Sequence, residues 1–364
     1  MSQHYDVIIV GAGVAGLSAA YFLSSRASVL VLERESQPAY HSSGRSAALY
    51  IEGYENTAVS DLTSRSGAFF NTPPENFAQS ALLHDRGGLT LAGPGDERGL
   101  VKYLARWQPL CPHLCAVTPH EARELTPIVK QDWLIGAAYD PAWKSIDVHE
   151  LLMGYQRGIR HNGGIIETKA EVTQLTQGQN WNVTAADAQY TTPCLVNAAG
   201  SWATNIAQLA GLAGVALQPM RRTGVIIAAP PNVQNYPAAH TIQGDVYFKP
   251  ESPGLMVSPA DETHSEPTDA QPEELDIAIA LDRFQAMVDH PVERVMHSWA
   301  GLRTFAPDRR PVIGFDPRAD GFCWVAGQGG FGVQTSPALG AIVADHILDD
   351  VVLDPEISVD RLLG

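Results

Sequence analysis

The chain has 364 residues, of which 45% are hydrophobic and 18% charged, a composition typical of a packed globular protein rather than a disordered one. Its length suggests about two domains of ordinary size. It carries 24 Lys and Arg residues against 40 Asp and Glu residues, a net charge of −16. This acidic excess argues against nucleic-acid binding, which needs a basic surface, and against docking on anionic lipid through a polybasic patch. Small molecules are therefore the expected partners.

The sequence shows no signal for secretion or membrane insertion. No basic segment precedes the first apolar run, as a signal peptide would require, and no run approaches the roughly 20 apolar residues of a membrane span. The four cysteines, Cys111, Cys115, Cys194 and Cys323, lack the paired spacing of zinc or redox sites. We therefore expect reduced thiols, no metal and a cytoplasmic location, with a peripheral position at the inner membrane left open.

A strand, a glycine-rich turn and a helix follow one another after the first few residues. The apolar run 5–10 leads into Gly11, Gly13 and Gly16 in the spacing G-x-G-x-x-G. These glycines allow a tight turn, a close backbone approach to a pyrophosphate and close packing of helix on strand. The helix N-terminus offers free N–H groups to phosphates. A second apolar run ends at Glu33, where a carboxylate can accept hydrogen bonds from a ribose. The pattern predicts a dinucleotide site.

The motif alone leaves FAD and NAD open, and the carboxylate of Glu33 disfavours the 2′-phosphate of NADP. Three further segments could contact such a cofactor. The 41–48 loop and the 197–202 turn are rich in small residues, and segment 327–334 is a second glycine-rich passage from strand to helix. Together with the 299–314 block, these segments resemble the D-amino-acid oxidase-like FAD-dependent oxidoreductases, a group that includes glycine and sarcosine oxidases.

Within this group, segments 40–48, 217–222 and 299–305 most resemble the bacterial D-arginine dehydrogenase branch. The resemblance implies FAD, bound noncovalently, since no cysteine stands where covalent sarcosine oxidases attach flavin. The implied cofactor-binding residues are Gly11, Ala12, Gly13, Val14, Ala15, Gly16, Glu33, Arg34, Ser43, Gly44, Arg45, Ser46, Ala47, Ala48, Val172, Ala199, Gly200, Trp202, Gly301, Gln328, Gly329, Gly330, Phe331, Gly332, Val333 and Gln334.

The resemblance also implies an α/β fold, in which a Rossmann-type FAD-binding domain is interleaved with an α+β substrate domain built on an antiparallel sheet. The implied FAD-binding segments are 1–80, 143–215 and 298–364, and the substrate segments are 81–142 and 216–297. Local patterns agree: Asp147 is a plausible N-cap for a helix to about Asn162. Segment 171–173 is expected to be a strand of the FAD sheet.

The implied activity is oxidative deamination of D-amino acids, with hydride transfer from the α-carbon to flavin N5. The imino acid formed hydrolyses to a 2-oxo acid and ammonia. A guanidinium is the best clamp for the substrate carboxylate, because its parallel donors match two oxygens. Arg303 is the first candidate, and by resemblance Arg222 and Tyr247 also contact the carboxylate. Tyr54 would lie on a mobile loop that covers the site.

Two departures from the D-arginine branch make arginine a doubtful substrate. Leu49 stands where that branch has a histidine, and Gly88 stands at the position matching the acidic residue that holds the guanidinium, although Asp85 or Glu52 could compensate. The alternatives are a glycine- or sarcosine-type oxidase, a noncatalytic electron-relay subunit and an NAD-dependent dehydrogenase. The electron acceptor, whether quinone, electron carrier or oxygen, is left open.

Overall fold

The computed structural model describes residues 3–363, so residues 1, 2 and 364 at the ends of the predicted FAD-binding segments lie outside it. The strands are β1 Gln3–His4, β2 Val7–Val10, β3 Val29–Leu32, β4 Leu49–Tyr50, β5 Leu83–Asp85, β6 Gly88–Ala92, β7 Cys115–Val117, β8 Gly136–Asp140, β9 Lys144–Ile146, β10 Ile165–Glu167, β11 Val172–Gln177, β12 Trp181–Ala185, β13 Ala188–Thr192, β14 Cys194–Asn197, β15 Gln218–Ile227, β16 Ala238–Thr241, β17 Tyr247–Glu251, β18 Gly254–Ser258, β19 Thr263–His264, β20 Val295–Phe305, β21 Val312–Phe315 and β22 Phe322–Ala326. The helices are α1 Val14–Ser24, α2 Thr57–Asn71, α3 Glu97–Trp107, α4 Pro119–Leu125, α5 Val148–His161, α6 Ala203–Leu209, α7 Glu274–Met287 and α8 Gly332–Asp349.

A six-stranded sheet in the order β10-β3-β2-β14-β22-β21 is assembled from the segments predicted to bind FAD. All its pairings are parallel except β21 with β22. The strands β2, β3, β14 and β22 are buried throughout, as a sheet covered on both faces requires. Because parallel strands share one carboxyl edge, the turns after β2, β3, β14 and β22 meet there. This edge is where such sheets bind ligands.

Segment 171–173 does not join this sheet, so that expectation is wrong. The strand it begins, β11, belongs to a separate four-stranded sheet in the order β1-β13-β12-β11. Lys169, which follows β10, adopts a left-handed conformation with φ 57° and turns the chain away. Asp147 does cap α5, since its carboxylate accepts from the Glu150 N–H at 2.8 Å.

A nine-stranded sheet in the order β19-β15-β18-β17-β16-β6-β8-β7, with β20 paired to β15, supplies the substrate side of the molecule. The predicted α/β class with interleaved α+β part is confirmed. The sheet is antiparallel except for β16 with β6, which is parallel. These two strands come from distant segments, so no hairpin constrains their direction.

Strand β20 crosses a predicted domain boundary. It pairs with β15 from Gln218 opposite Phe305 to Ile227 opposite Val295. Residues 298–305, which the sequence assigned to the FAD-binding domain, are therefore hydrogen-bonded into the substrate sheet. The other boundaries stay predictions.

The two faces of the nine-stranded sheet differ because side chains alternate along each strand. Val225, Phe248 and Val257 lie on one face, in a core cluster with α4 and α7 residues such as Ala122 and Phe284. The other face carries Arg222, Gly224, Tyr247, Met256 and Arg303, which line a cavity described below. The pairings of β15 with β18 and β20, and of β17 with β18, set this alternation.

The glycine spacing predicts tight packing in the turn between β2 and α1, and the structure shows it at Gly16. A Cβ on Gly16 would lie 1.9 Å from the Gly11 carbonyl oxygen, whereas one on Gly13 would meet only the Ser43 Oγ, at 3.4 Å. We expect Gly16→Ala to lower the free energy of unfolding by about 1–3 kcal/mol, as overpacking does. Gly13→Ala is the control and should unfold close to wild type in urea. Equal stability of the two variants would contradict this packing.

Candidate cofactor and substrate site

One continuous cavity runs from the carboxyl edge of the six-stranded sheet to the face of the nine-stranded sheet. Most of the residues predicted from the sequence border it. The bordering residues are Gly13, Val14, Ala15, Glu33, Arg34, Ser43, Arg45, Ser46, Ala47, Val172, Ala199, Gly200, Trp202, Gly301, Gln328, Gly329, Gly330, Gly332, Val333, Arg222, Tyr247 and Arg303. The predicted residues that do not border it are Gly11, Ala12, Gly16, Gly44, Ala48, Phe331, Gln334 and Tyr54.

Glu33 lies at the end of the cavity next to the six-stranded sheet, where two backbone N–H groups donate to its carboxylate. The Ala12 N–H donates to its Oε2 at 2.8 Å, and the Glu35 N–H donates to its Oε1 at 2.9 Å. The side chain is 9% exposed. Each carboxylate oxygen keeps a second acceptor site, so the group can still accept from a ligand hydroxyl.

The N-termini of two helices open at the cavity. Residues of the first turns of α1 and α8 border it, and neither helix has a side-chain cap. The Val14 N–H of α1 donates to the Ser43 Oγ at 2.9 Å, which fixes the 41–48 loop over the first helix. Uncapped helix N-termini carry free N–H groups and a partial positive charge that favour anions and electron-rich atoms. A phosphate could bind at α1.

The 41–48 loop is also tied to β20. The Arg45 Nη1 donates to the carbonyls of Ala270 and Ala300 at 2.9 and 3.0 Å, and the Trp299 Nε1 donates to the Arg45 carbonyl at 3.0 Å. Arg45 further pairs with Asp269. The loop therefore joins the two sheets across the cavity.

Arg34, Trp202 and His41 form a stack near Glu33, and the sequence predicted only two of these three residues. The Arg34 Cζ lies 4.0 Å from the centroid of the Trp202 ring, and the His41 ring lies 4.7 Å from the same ring. The His41 Nε2 is 2.9 Å from the Glu35 Oε1. Arg34 and Trp202 were predicted, whereas His41 was missed, although it begins the predicted loop. A flat ring could lie against such a stack.

At the far end, the Arg303 guanidinium lies against the glycine-rich turn before α8. A Cβ on Gly330 would come within 2.6 Å of the Arg303 Nη1, and one on Gly329 within 2.2 Å of the Phe305 Cε1. Gly329 has φ 45°, in the left-handed region. The turn therefore needs glycine at both positions, and Arg303, which borders the cavity, is packed beneath it.

Tyr247 and Arg222 stand beside Arg303. The Arg222 Cζ is 5.9 Å from the centroid of the Tyr247 ring. Burial acts to raise the pKa of the Tyr247 phenol, but the charges of Arg303 and Arg222, with hydrogen bonding to Ser258 and Arg222, hold it below its usual value. Burial acts to lower the pKa of Arg303, and the nearby Tyr247, Tyr54, Glu262 and Asp261 raise it above its usual value. Arg303 stays cationic.

The lining residues on this face that were missed include Gly224, Met256 and Trp299. In the case of Met256, the alternation of β18 was a usable signal. Ser258 pairs with Tyr247 across β17 and β18, and Met256 lies two residues away on the same face.

Tyr54 packs beside the cavity rather than in its lining. Its ring lies against Val59, Phe305 and Phe331 on one side, and against the cluster of Ile51 and Trp143 on the other. It is near enough to Arg303 to raise the pKa of that guanidinium. A covering role for Tyr54 stays a prediction.

Gly88 lies under an indole. A Cβ there would come within 2.0 Å of the Trp143 Cδ2, and the Trp143 ring stacks on His240 at 5.7 Å with an interplanar angle of 9°. No larger side chain fits at Gly88 while Trp143 holds this position. The predicted substitutes do not border the cavity either. Asp85 pairs with Lys144 and its side chain is 91% exposed, and Glu52 accepts from the Tyr50 hydroxyl at 2.9 Å.

The cysteines stand apart from this site. None of the four borders the cavity, and Cys111, Cys194 and Cys323 are buried free thiols. Across residues 3–363, no three His, Cys, Asp or Glu side chains come together in a way that could hold a metal ion. No helix in this part of the chain combines the length and apolar composition needed to cross a membrane.

Comparison with known proteins identifies the kind of site this is. The model of the FAD dependent oxidoreductase family, DAO, matches residues 6–346. Mitochondrial dimethylglycine dehydrogenase of Mus musculus is 24% identical over 96% of this chain, which spans only 44% of that protein. Glycine oxidase of Geobacillus kaustophilus is 24% identical over 95% of this chain and 94% of its own length. Its crystal structure superposes with a TM-score of 0.87 and 22% identity over the whole of both chains.

FAD is the cofactor of this cavity. A further structural neighbour, L-alpha-glycerophosphate oxidase of Mycoplasma pneumoniae with FAD bound, has a TM-score of 0.83 at 18% identity over 95% of each chain. The cavity itself fits the group: Glu33 can bind a ribose, the α1 N-terminus phosphates, and the α8 N-terminus with Gly330 an electron-rich ring. The predicted cofactor is confirmed, and the individual contact residues stay predictions.

The contact predicted for Glu33 can be measured directly. In Glu33→Gln, one backbone donor would face an amide N–H₂ instead of a carboxylate oxygen. We expect FAD binding to weaken by about 10- to 100-fold, as for loss of a hydrogen bond to a charged group. Reconstitution of the FAD-free protein, followed by flavin fluorescence, gives the dissociation constant. Asp187→Asn, an exposed carboxylate in the turn after β12, is the control. Unchanged affinity in Glu33→Gln would contradict the contact.

Proposed function

The chain belongs to the FAD dependent oxidoreductase family, DAO, and on this basis we propose that it oxidises the carbon–nitrogen bond of small α-amino acids. The substrate carboxylate would bind Arg303 and Arg222, with Tyr247 as a further donor. For a primary amine, the product would be an imino acid that hydrolyses to a 2-oxo acid and ammonia.

One observation carries the proposal. The Arg303 guanidinium borders the cavity and is packed beneath Gly330, yet it makes no hydrogen bond or ion pair with any side chain or carbonyl of residues 3–363. Arg303 is half-buried, and a cation in such a position is stabilised when an anion pairs with it. A carboxylate supplies two oxygens matched to its parallel donors. A noncatalytic electron-relay subunit would have no use for such a group.

The mechanism asks the protein chiefly for orientation. When bound, FAD accepts the hydride that leaves the substrate α-carbon. Arg303 and Arg222 would fix the carboxylate, and the Tyr247 hydroxyl would donate to one of its oxygens. The Asp, Glu, His and Lys side chains of the described chain that border the cavity are Glu33, His41 and Glu171, and none of them is hydrogen-bonded to Arg303, Arg222 or Tyr247. The amine would therefore bind in its neutral form, because the carboxylate contact holds no base of these types.

Two classes of substrate fit this arrangement. Resemblance to the D-arginine branch favours D-amino acids, which we propose in their short-chain forms only. Trp143 over Gly88 instead favours glycine and N-methylated glycines, and relatives named glycine oxidase and dimethylglycine dehydrogenase fit that class. His240, which stacks on Trp143, pairs with Tyr247 across β16 and β17. Neither Trp143 nor His240 borders the cavity, and we propose that the indole limits the space beside the carboxylate contact by fixing His240 against Tyr247.

The decisive experiment is anaerobic mixing of the FAD-loaded protein with a panel of amino acids. The panel contains glycine, sarcosine, dimethylglycine and both enantiomers of alanine, proline, leucine and arginine. Bleaching of the flavin absorbance by short members supports the proposal, and bleaching by none of them overturns it. Reduction by D-alanine but not L-alanine would select the D-amino-acid class. Admission of air with a peroxide assay then separates an oxidase from a dehydrogenase.

Arg303→Gln tests the clamp within the same assay. The amide offers one donor group in place of the guanidinium fork, so we expect kcat/KM to fall at least 100-fold, as for loss of a buried charge-assisted contact. The flavin spectrum of the variant checks that the cofactor site is intact. A fall of less than about threefold would show that another group binds the carboxylate.

Trp143→Leu tests the limit on substrate size. Removing the indole should raise kcat/KM for D-norleucine relative to D-alanine by about tenfold or more, as extra room for methylene groups allows. Trp133→Leu is a matched control, because Trp133 covers Gly93 as Trp143 covers Gly88. It should leave the ratio unchanged. The same ratio in Trp143→Leu and wild type would show that the indole does not limit the substrate.

A further inference from the structure

We infer that Arg309 is a positioning residue for the substrate carboxylate, which acts by neutralising Glu262 and so leaving Arg222 free to receive the anion. This inference rests on the carboxylate contact proposed above for Arg222. It assigns a role to a residue that does not itself border the cavity.

Arg309 and Arg222 share one carboxylate. The Arg309 Nη1 and Nη2 donate to the Glu262 Oε2 and Oε1 at 3.0 and 2.8 Å, in a two-pronged pairing. The Arg222 Nη2 donates to the same Oε1 at 3.1 Å. Glu262 therefore joins Arg222, a residue of the cavity wall, to Arg309 by hydrogen bonds.

Arg222 keeps donor capacity because its other contacts are few. Its Nε donates to the Asp261 carbonyl at 2.8 Å, its Nη2 donates to Glu262, and it also hydrogen-bonds to the Tyr247 hydroxyl. Asp261 itself is occupied, since its carboxylate accepts from the Thr223 N–H and hydroxyl at 2.7 and 3.0 Å. A guanidinium has five N–H donors, so Arg222 keeps donors for a substrate oxygen after these three contacts.

Electrostatics decides whether a substrate anion can bind there. Without Arg309, Glu262 would be paired with Arg222 alone, at 3.1 Å. It would then bind Arg222 more strongly and would repel an incoming carboxylate. With Arg309 present, Glu262 is paired from both sides. Burial acts to raise the pKa of Glu262, but Arg309, Arg222 and Arg303 hold it below its usual value. Glu262 therefore remains charged and needs this compensation.

The contacts around Arg309 hold it in place. It pairs with Glu55, its Cζ lies 3.9 Å from the centroid of the Phe305 ring, and its carbonyl accepts from the Asn56 Nδ2 at 3.0 Å. Both Arg309 and Glu55 have φ 60°, which residues with a Cβ seldom adopt. Because Glu55 follows Tyr54, Arg309 could also act by anchoring that loop. The test must separate neutralisation of Glu262 from loop anchoring.

The experiment measures binding of acetate, a minimal carboxylate, to the FAD-loaded protein by calorimetry and by the flavin absorption spectrum, at constant ionic strength. We expect Arg309→Gln to weaken acetate binding about tenfold. The double variant Glu262→Gln/Arg309→Gln should recover to within about threefold of wild type, because the uncompensated charge is gone. Glu55→Gln, which removes only the loop contact, should stay within about threefold.

Arg310→Gln is the matched control, since Arg310 pairs with Glu356 at 3.2 Å and contacts neither Glu262 nor Glu55. It should bind acetate as wild type does. Weak binding in Glu55→Gln together with no recovery in the double variant would show loop anchoring and overturn the inference. Unchanged binding in Arg309→Gln would overturn it too. If wild type itself binds no acetate, the carboxylate clamp of the proposed function fails as well. Arg309→Lys, which keeps the charge, should bind within about threefold of wild type.

Discussion

A guanidinium packed beneath a glycine turn, with no partner in the described chain, is the feature on which the rest of this site depends. Arg303 is half-buried beside the cavity, and its neighbours Tyr247, Tyr54, Asp261 and Glu262 keep it charged. Its donors have no hydrogen-bond partner in the described chain, so an anion that reaches the cavity can bind them. The need for space beside Arg303 also explains Gly330, because any side chain there would displace the guanidinium.

Arg303 lies on strand β20, which places its guanidinium at the cofactor cavity. The strand pairs with β15 along its whole length, and it is bound through Arg45 and Trp299 to the loop that lies over α1. The carboxylate contact and the cofactor edge are therefore parts of one hydrogen-bonded framework, although the sequence suggests two interleaved domains. A substrate fixed by Arg303 would be held at a set position relative to the turn before α8 without any moving part.

The sequence predicted what local patterns determine. The βαβ unit, the N-cap at Asp147 and the glycine-rich start of α8 follow from residues close together in the chain, and all three are present. The features that the sequence did not predict depend on contacts between residues far apart in the chain. β11 joins a different sheet, and Trp143 covers Gly88, 55 positions away, because tertiary contacts override local preference. Likewise, nothing in segment 305–310 indicates that Arg309 meets Glu262 rather than the adjacent Asp308.

The local charge of the site differs from that of the whole chain. The protein carries −16 overall, yet the wall around the carboxylate contact holds Arg222, Arg303 and Arg309 against Glu55, Asp261 and Glu262. Since three charges of each sign balance there, an anion enters a region that is neutral rather than acidic. Of the two arginines that border the cavity, Arg222 is hydrogen-bonded to Glu262, whereas Arg303 makes no hydrogen bond within the described chain. Loss of a single cation from this wall would leave it with a net negative charge, which repels the substrate carboxylate. Carboxylate binding therefore depends on Arg309 as well as on the two arginines that border the cavity.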